Sequence, residues 1–131
     1  MNELRIYELY INEISVQEAH PLDLDTINSV VDEKRKGNYA LGYIDKRNIF
    51  IPKYVGKGNI HERLRKHIKK IPKQPQFKFI YIGNKIESYN LECRMYHEYL
   101  DQLINEYHPG LPEGIKCLYC NHIGGKYEES T

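Results

Sequence analysis

The spacing of apolar residues divides this chain into short runs of strand and helix period. Residues 4–11, Leu4-Arg5-Ile6-Tyr7-Glu8-Leu9-Tyr10-Ile11, are rich in β-formers with rough alternation and predict a strand. After a loop at His20-Pro21, residues 25–31 predict a short capped helix with Ile27, Val30 and Val31 on one face. Residues 39–44 and 49–55 predict a hairpin across the polar turn Asp45-Lys46-Arg47-Asn48. Pro52 has no N–H to give a ladder, so its strand needs an edge or a bulge there, and either bends the chain just before Tyr54.

Gly56 and Gly58 let the backbone turn tightly into a helix over 59–70, whose buried stripe is Ile60, Leu64 and Ile68. Arg63 and His67, four residues apart, share a side of that helix and lie beside the stripe. Pro72 and Pro75 end it, and the alternating run 77–82 predicts a third strand closing at Gly83-Asn84. Residues 88–107 carry a helical stripe of Leu91, Met95, Tyr99, Leu100, Leu103 and Ile104, with Ser88 as the expected cap and Glu92 at the border of the buried face. His108-Pro109-Gly110 stops this helix, and a loop-rich tail with Glu128-Glu129 near its end is expected to be mobile. The whole predicts an α+β fold: a small mixed or antiparallel sheet, made of the hairpin, the third strand and an extra N-terminal strand, flanked by helices.

At 131 residues the chain is expected to be one domain, with residues 1–36 as an N-terminal extension, 37–107 as the core and 108–131 as a tail. Hydrophobic content of 40% and charge of 28% are ordinary for a globular chain and argue against disorder. No apolar run approaches the ~20 residues of a membrane span, and the N-terminus lacks a signal-peptide pattern, so a cytoplasmic location without membrane attachment is expected. Three cysteines, two of them spaced Cys-x-x-Cys, fit a reducing compartment. Net charge is only +1, but residues 34–78 hold fourteen Lys or Arg against two acids, a local +12 set against −11 elsewhere. A potential focused in this way attracts a polyanion.

The candidate chemistry lies in the same basic stretch. A guanidinium pairs bidentately with phosphate oxygens and stays charged, which makes Arg63 the expected phosphate clamp. Tyr39 and Tyr54 fall on paired strands. A phenol ionises near 10, so a tyrosine acting as base needs a nearby lysine, arginine or metal-bound water, and Lys57 and Arg63 are the candidate cations. Which tyrosine takes the proton is open. His67 could bridge to phosphate, relay a proton or orient a tyrosine, while His61, off that face, is expected to be a bystander and His97 to be structural. Lys57, Arg65 and Lys66 are expected to contact substrate as part of the basic surface. Cys117 and Cys120 are expected to be a pair of reduced, partly buried loop cysteines; the alternative is half of a structural Zn²⁺ site, for which His97, His108, His122 and Cys93 are the available further ligands.

The ordered set Gly37-Asn38-Tyr39, Tyr54-Val55-Gly56, Arg63, His67 and Glu92 resembles the core of the GIY-YIG nucleases. The run Glu92-Cys93-Arg94-Met95-Tyr96-His97, then Asn105, His108-Pro109 and Cys117-Leu118-Tyr119-Cys120, resembles a bacterial subset of that family. The resemblance extends over about residues 37–120. It implies a metal-dependent endonuclease hydrolysing DNA phosphodiesters, with Tyr39, Tyr54, Arg63, His67 and Glu92 at the active site. Glu92 would hold Mg²⁺ or Mn²⁺, Glu98 is the alternative carboxylate, and Asn105 is a further expected substrate-side residue whose role would be positioning. The chain departs from many members in having Asn38 where an apolar residue is usual and in having no appended DNA-recognition domain. Contacts would then be to the phosphate backbone with low sequence specificity, and targeting would come from a protein partner or a dimer. Two alternatives keep the same residues: a non-catalytic nucleic-acid-binding module, and an RNA-directed hydrolase.

Overall fold

In the computed structural model, which describes residues 4–71 and 73–126, the described chain forms four strands and four α-helices. In chain order they are α1 (Arg5–Val16), β1 (His20–Pro21), α2 (Leu24–Val30), β2 (Lys36–Ile44), β3 (Phe50–Asn59), α3 (Ile60–Lys66), β4 (Gln76–Tyr81) and α4 (Lys85–Glu98), followed by a 3₁₀ turn at Leu100–Gln102. The fold is α+β, and its one sheet is antiparallel throughout, in the order β1-β4-β2-β3.

The β2–β3 hairpin turns where its composition requires. The Asp45 carboxylate accepts from the Arg47 and Ile49 amides at 2.8 and 3.0 Å, and Asn48 takes φ 65°, a conformation asparagine tolerates. Leu41 pairs with Tyr54 but Gly42 pairs with Pro52, so Lys53 is the extra residue of a bulge. Because β3 is also an edge strand, the missing N–H of Pro52 interrupts no ladder.

Alternation along β2 sends side chains to two cores. Ala40 packs with Tyr7, Ile11 and Ile14 of α1 and Leu91 and Met95 of α4. Tyr39 and Leu41 pack on the opposite face with Ile27 of α2, Ile60 and Leu64 of α3, and Phe77. The sheet is thus sandwiched between α1 with α4 and α2 with α3.

Several elements differ from the sequence reading. Residues 4–11 are not a strand but most of α1. The buried positions are Tyr7, Ile11 and Ile14, a helical stripe, and the apparent alternation of β-formers covers only part of that twelve-residue helix. The fourth strand is instead the two-residue β1, where His20 leans on the Phe77 and Phe79 rings at 5.3 and 6.0 Å. α2 is capped by Asp23, and Val30 stands outside the buried face at 38% exposure. α3 ends at Lys66 with His67 as its C-cap residue, rather than continuing to 70. α4 begins three residues before Ser88, capped by Asn84, whose side chain accepts from the Glu87 amide at 3.0 Å, and it ends at Glu98. Pro72 and the Glu128-Glu129 tail lie outside the described residues. Among the described residues no helix is long and apolar enough to cross a membrane.

Candidate active site

The site forms where the glycines of β3 leave the sheet uncovered. Gly56 lies directly opposite Tyr39, and a Cβ built on it would sit 2.4 Å from the Tyr39 hydroxyl, so the phenol ring lies across that glycine. Gly58 has φ +125°, outside the usual range of side-chain-bearing residues, and a Cβ there would come within 3.0 Å of Arg63 Nε. The two glycines therefore seat the phenol and the guanidinium. Asn59 then caps α3 by accepting from the Glu62 amide at 2.9 Å, which begins the helix bearing Arg63 immediately after the strand.

Tyr54 stacks with Tyr39 at 6.4 Å between centroids, and the His67 ring lies 5.0 Å from Tyr54 and 6.0 Å from Tyr39. Lys70 covers the outer face of Tyr54 at 4.2 Å. Burial, with the charges of Lys70, Arg63 and Lys66, pulls His67 down to about 4, so its imidazole is neutral at physiological pH.

Glu92 arrives from α4 and is buried at 7% exposure. Its Oε1 has no hydrogen-bond partner and lies 3.9 Å from Lys57 Nζ, too far for a hydrogen bond. Lys57 is held in place over the Tyr89 ring, 4.0 Å from its centre. Burial pushes the Glu92 carboxyl up to about 7, outweighing the opposing pull of Lys57 and Arg63. Tyr39 and Tyr54 both lie within the electrostatic reach of Glu92 and Arg63. An unpartnered buried carboxylate oxygen is the kind of donor a hard divalent cation takes, so the residues present fit a Mg²⁺ or Mn²⁺ ion at Glu92.

One expectation about the tyrosines is reversed. Burial raises both phenols above their ordinary 10, Tyr39 most strongly, and the lowering by Arg63 does not compensate. At neutral pH both are hydrogen-bond donors. Lys57 serves Glu92 and Tyr89 instead.

Beside this group is a cleft of about 390 Å³ bordered by Lys36, Lys57, Arg63 and Lys85 with one acid, Glu62. Larger hollows of about 630 and 890 Å³ lie elsewhere and include none of Tyr39, Tyr54, Arg63, His67 or Glu92. Arg65 and Lys66 remain on the exposed surface, Lys66 paired with Glu62 at 3.1 Å. Asn105 has the positioning role expected of it: its amide accepts from Val55 N at 3.1 Å and donates to Val55 O at 3.0 Å, so it positions the Tyr54-Val55-Gly56 strand. Glu98 is committed to Arg94 at 2.5 Å. His61 is buried against Asn28 at 2.8 Å. Cys117 and Cys120 sit away from this site, beside His97 and His108.

Two contributors escaped the sequence reading. Asn38 donates to the Ser88 carbonyl at 2.9 Å and accepts from the Ser88 hydroxyl at 2.8 Å, and both bonds are buried. The signal was Asn38 itself, a polar residue at a strand position where burial was expected. No family model matches the chain, and the searches of curated proteins and solved structures return no match either.

Proposed function

We propose that this protein is a metal-dependent phosphodiester hydrolase acting on nucleic acid, with DNA as its substrate, of the type its motifs resemble. The observation that carries the reading is the buried Oε1 of Glu92, which has no hydrogen bond and stands 3.9 Å from Lys57, near Arg63 and two tyrosines beside a cationic cleft. A buried carboxylate oxygen without a hydrogen bond is costly, and a cation together with a phosphate would satisfy it.

Hydrolysis forms a bond from a water oxygen to phosphorus and breaks the bond to one ester oxygen. The water proton must leave and the ester oxygen must be neutralised. Arg63 is the group to hold the non-bridging phosphate oxygens. His67, neutral at pH 7, is the group able to accept the proton, directly or through a tyrosine hydroxyl. Tyr39 and Tyr54, as phenols, donate hydrogen bonds that orient water and phosphate. Glu92 would hold the divalent cation, which when bound supplies positive charge against the phosphate and the departing oxygen. Lys36, Lys57 and Lys85 line the approach for a polyanion.

The test is nicking of supercoiled DNA by purified protein with and without Mg²⁺, repeated with Glu92→Ala and with single-stranded DNA and RNA. Mg²⁺-dependent nicking that Glu92→Ala abolishes supports the reading. Salt-sensitive binding with no turnover would leave the non-catalytic binding module, and preference for RNA would change the substrate alone.

A further inference from the structure

A second chemical centre lies at the other end of α4. Among the described residues, one group of His, Cys and carboxylate side chains has metal-binding geometry: His97, His108, Cys117 and Cys120, with ligand atoms all within 4.8 Å of one another. We propose that these four residues bind a structural Zn²⁺ that ties the C-terminal segment to the helix carrying Glu92.

The spacing is that of a tetrahedral shell. Zinc bonds of about 2.0–2.1 Å to nitrogen and 2.3 Å to sulfur, at tetrahedral angles, put the two atoms roughly 3.6 Å apart. His97 Nε2 lies 3.6 Å from Cys117 Sγ, and His108 Nε2 lies 3.5 Å from Cys120 Sγ. None of the three cysteines is in a disulfide.

The surroundings orient the ligands for a cation. His108 Nδ1 faces the Pro109 carbonyl at 2.8 Å, a contact that places the proton on Nδ1 and leaves the Nε2 lone pair toward Cys120. Each sulfur also accepts a backbone amide from two residues on, Tyr119 N to Cys117 Sγ at 3.3 Å and His122 N to Cys120 Sγ at 3.4 Å, which fixes the sulfurs in place. The loop is closed at its base by Cys117 N to His122 O at 2.9 Å and by the Lys116–Ile123 bridge. Two thiolates neutralise the Zn²⁺ charge, so the filled site can be half buried, and its formation releases the two thiol protons. Two sulfurs and two imidazoles complete a closed shell, and this donor set selects zinc over Mg²⁺.

The fold gives this segment little else to hold it. Beyond Asn105, which is tied to β3, the described chain has one isolated bridge, a few turn hydrogen bonds, Leu118 against the main core, and a small cluster in which Leu111 and Cys117 pack on Tyr89 and Cys93 of α4. A short irregular segment with so small a core is where a metal staple contributes most. His97 is five residues from Glu92 on the same helix, and Tyr89, against which the tail packs, carries Lys57. The zinc therefore braces the face of α4 that supports the active site without touching it.

The experiment is metal analysis of the full chain, purified under reducing conditions, with Co²⁺ substitution as a spectroscopic probe. One tightly held zinc per chain is expected, with the visible d–d bands of a tetrahedral cobalt–thiolate site. Cys117→Ser/Cys120→Ser and His97→Gln should lose the metal, and His122→Gln, outside the shell, should keep it. Should the cysteine variant not fold, titration of the wild-type thiols with a mercurial should release zinc in step with two thiols. Sub-stoichiometric zinc in folded, zinc-reconstituted protein, or zinc that persists when both thiols are removed or blocked, would overturn the proposal. Neither readout involves cleavage of nucleic acid, so this inference and the active-site reading stand or fall separately.

Discussion

Asn38 on β2 and Ser88 on α4 exchange a reciprocal pair of hydrogen bonds, 2.9 and 2.8 Å long, within the core. Tyr39 follows Asn38 directly, and Glu92 lies one helical turn after Ser88. The pair therefore fixes the height and rotation of the glutamate helix relative to the tyrosine strand. Asn38→Ala leaves buried polar groups on Ser88 unsatisfied and should cost about 1–3 kcal/mol in urea denaturation. A double-mutant cycle with Ser88→Ala should give a coupling of about 0.5–3 kcal/mol. Additive losses would mean that the two bonds do not act together.

Gly56 exists for the phenol that crosses it. Gly56→Ala should displace the Tyr39 ring, lower stability by about 1–3 kcal/mol through overpacking, and reduce cleavage at least tenfold. A variant with wild-type melting temperature and rate would show that Tyr39 has another resting place.

The two basic side chains of the site should separate in a salt titration. Arg63→Gln should weaken DNA binding and reduce the slope of log affinity against log salt by about one. His67→Gln should leave affinity and slope unchanged at pH 7, because the imidazole is already neutral, yet slow cleavage by about 10²–10⁴. Equal effects on binding would mean that His67 is a phosphate contact and not a proton acceptor.

The sign of the Glu92 shift gives a pH test in EDTA. Its folded value, about 7, lies above its ordinary 4.5, so the native state holds a proton that the unfolded chain releases across that window. The stability it contributes is present below 4.5 and lost as pH rises through about 7. Glu92→Gln stays neutral throughout. Relative to wild type it should be no more stable at pH 4.5 and more stable at pH 8, by roughly 3 kcal/mol at about 1.4 per unit. A difference independent of pH would show that burial does not hold the proton on Glu92.

Much of the site was readable because its residues announce themselves by type and local spacing. The hairpin, the two glycines and the capped helix after them each follow from turn chemistry within a few residues. What escaped depends on partners far along the chain. The helical stripe of Tyr7, Ile11 and Ile14 competes with an apparent strand until α4 is known to lie against it, Asn90 donating to the Tyr7 hydroxyl at 2.9 Å. Ser88 read as a cap because its true partner is fifty residues away. The tyrosine phenols lie above their ordinary value because desolvation, a property of the packed sheet that no local spacing reveals, outweighs the nearby Arg63.

The side chain of Asn105 also determines how this molecule can meet others. β3 is an edge strand, and an open edge invites a strand from a neighbouring copy. Here Asn105 occupies both main-chain groups of Val55, and the Ile104 amide donates to the Lys53 carbonyl at 2.6 Å. The opposite edge, β1, is only two residues long. Growth of the sheet into ribbons or fibrils is therefore discouraged at both ends. A single asparagine works as a guard against aggregation while it steadies the strand that bears Tyr54.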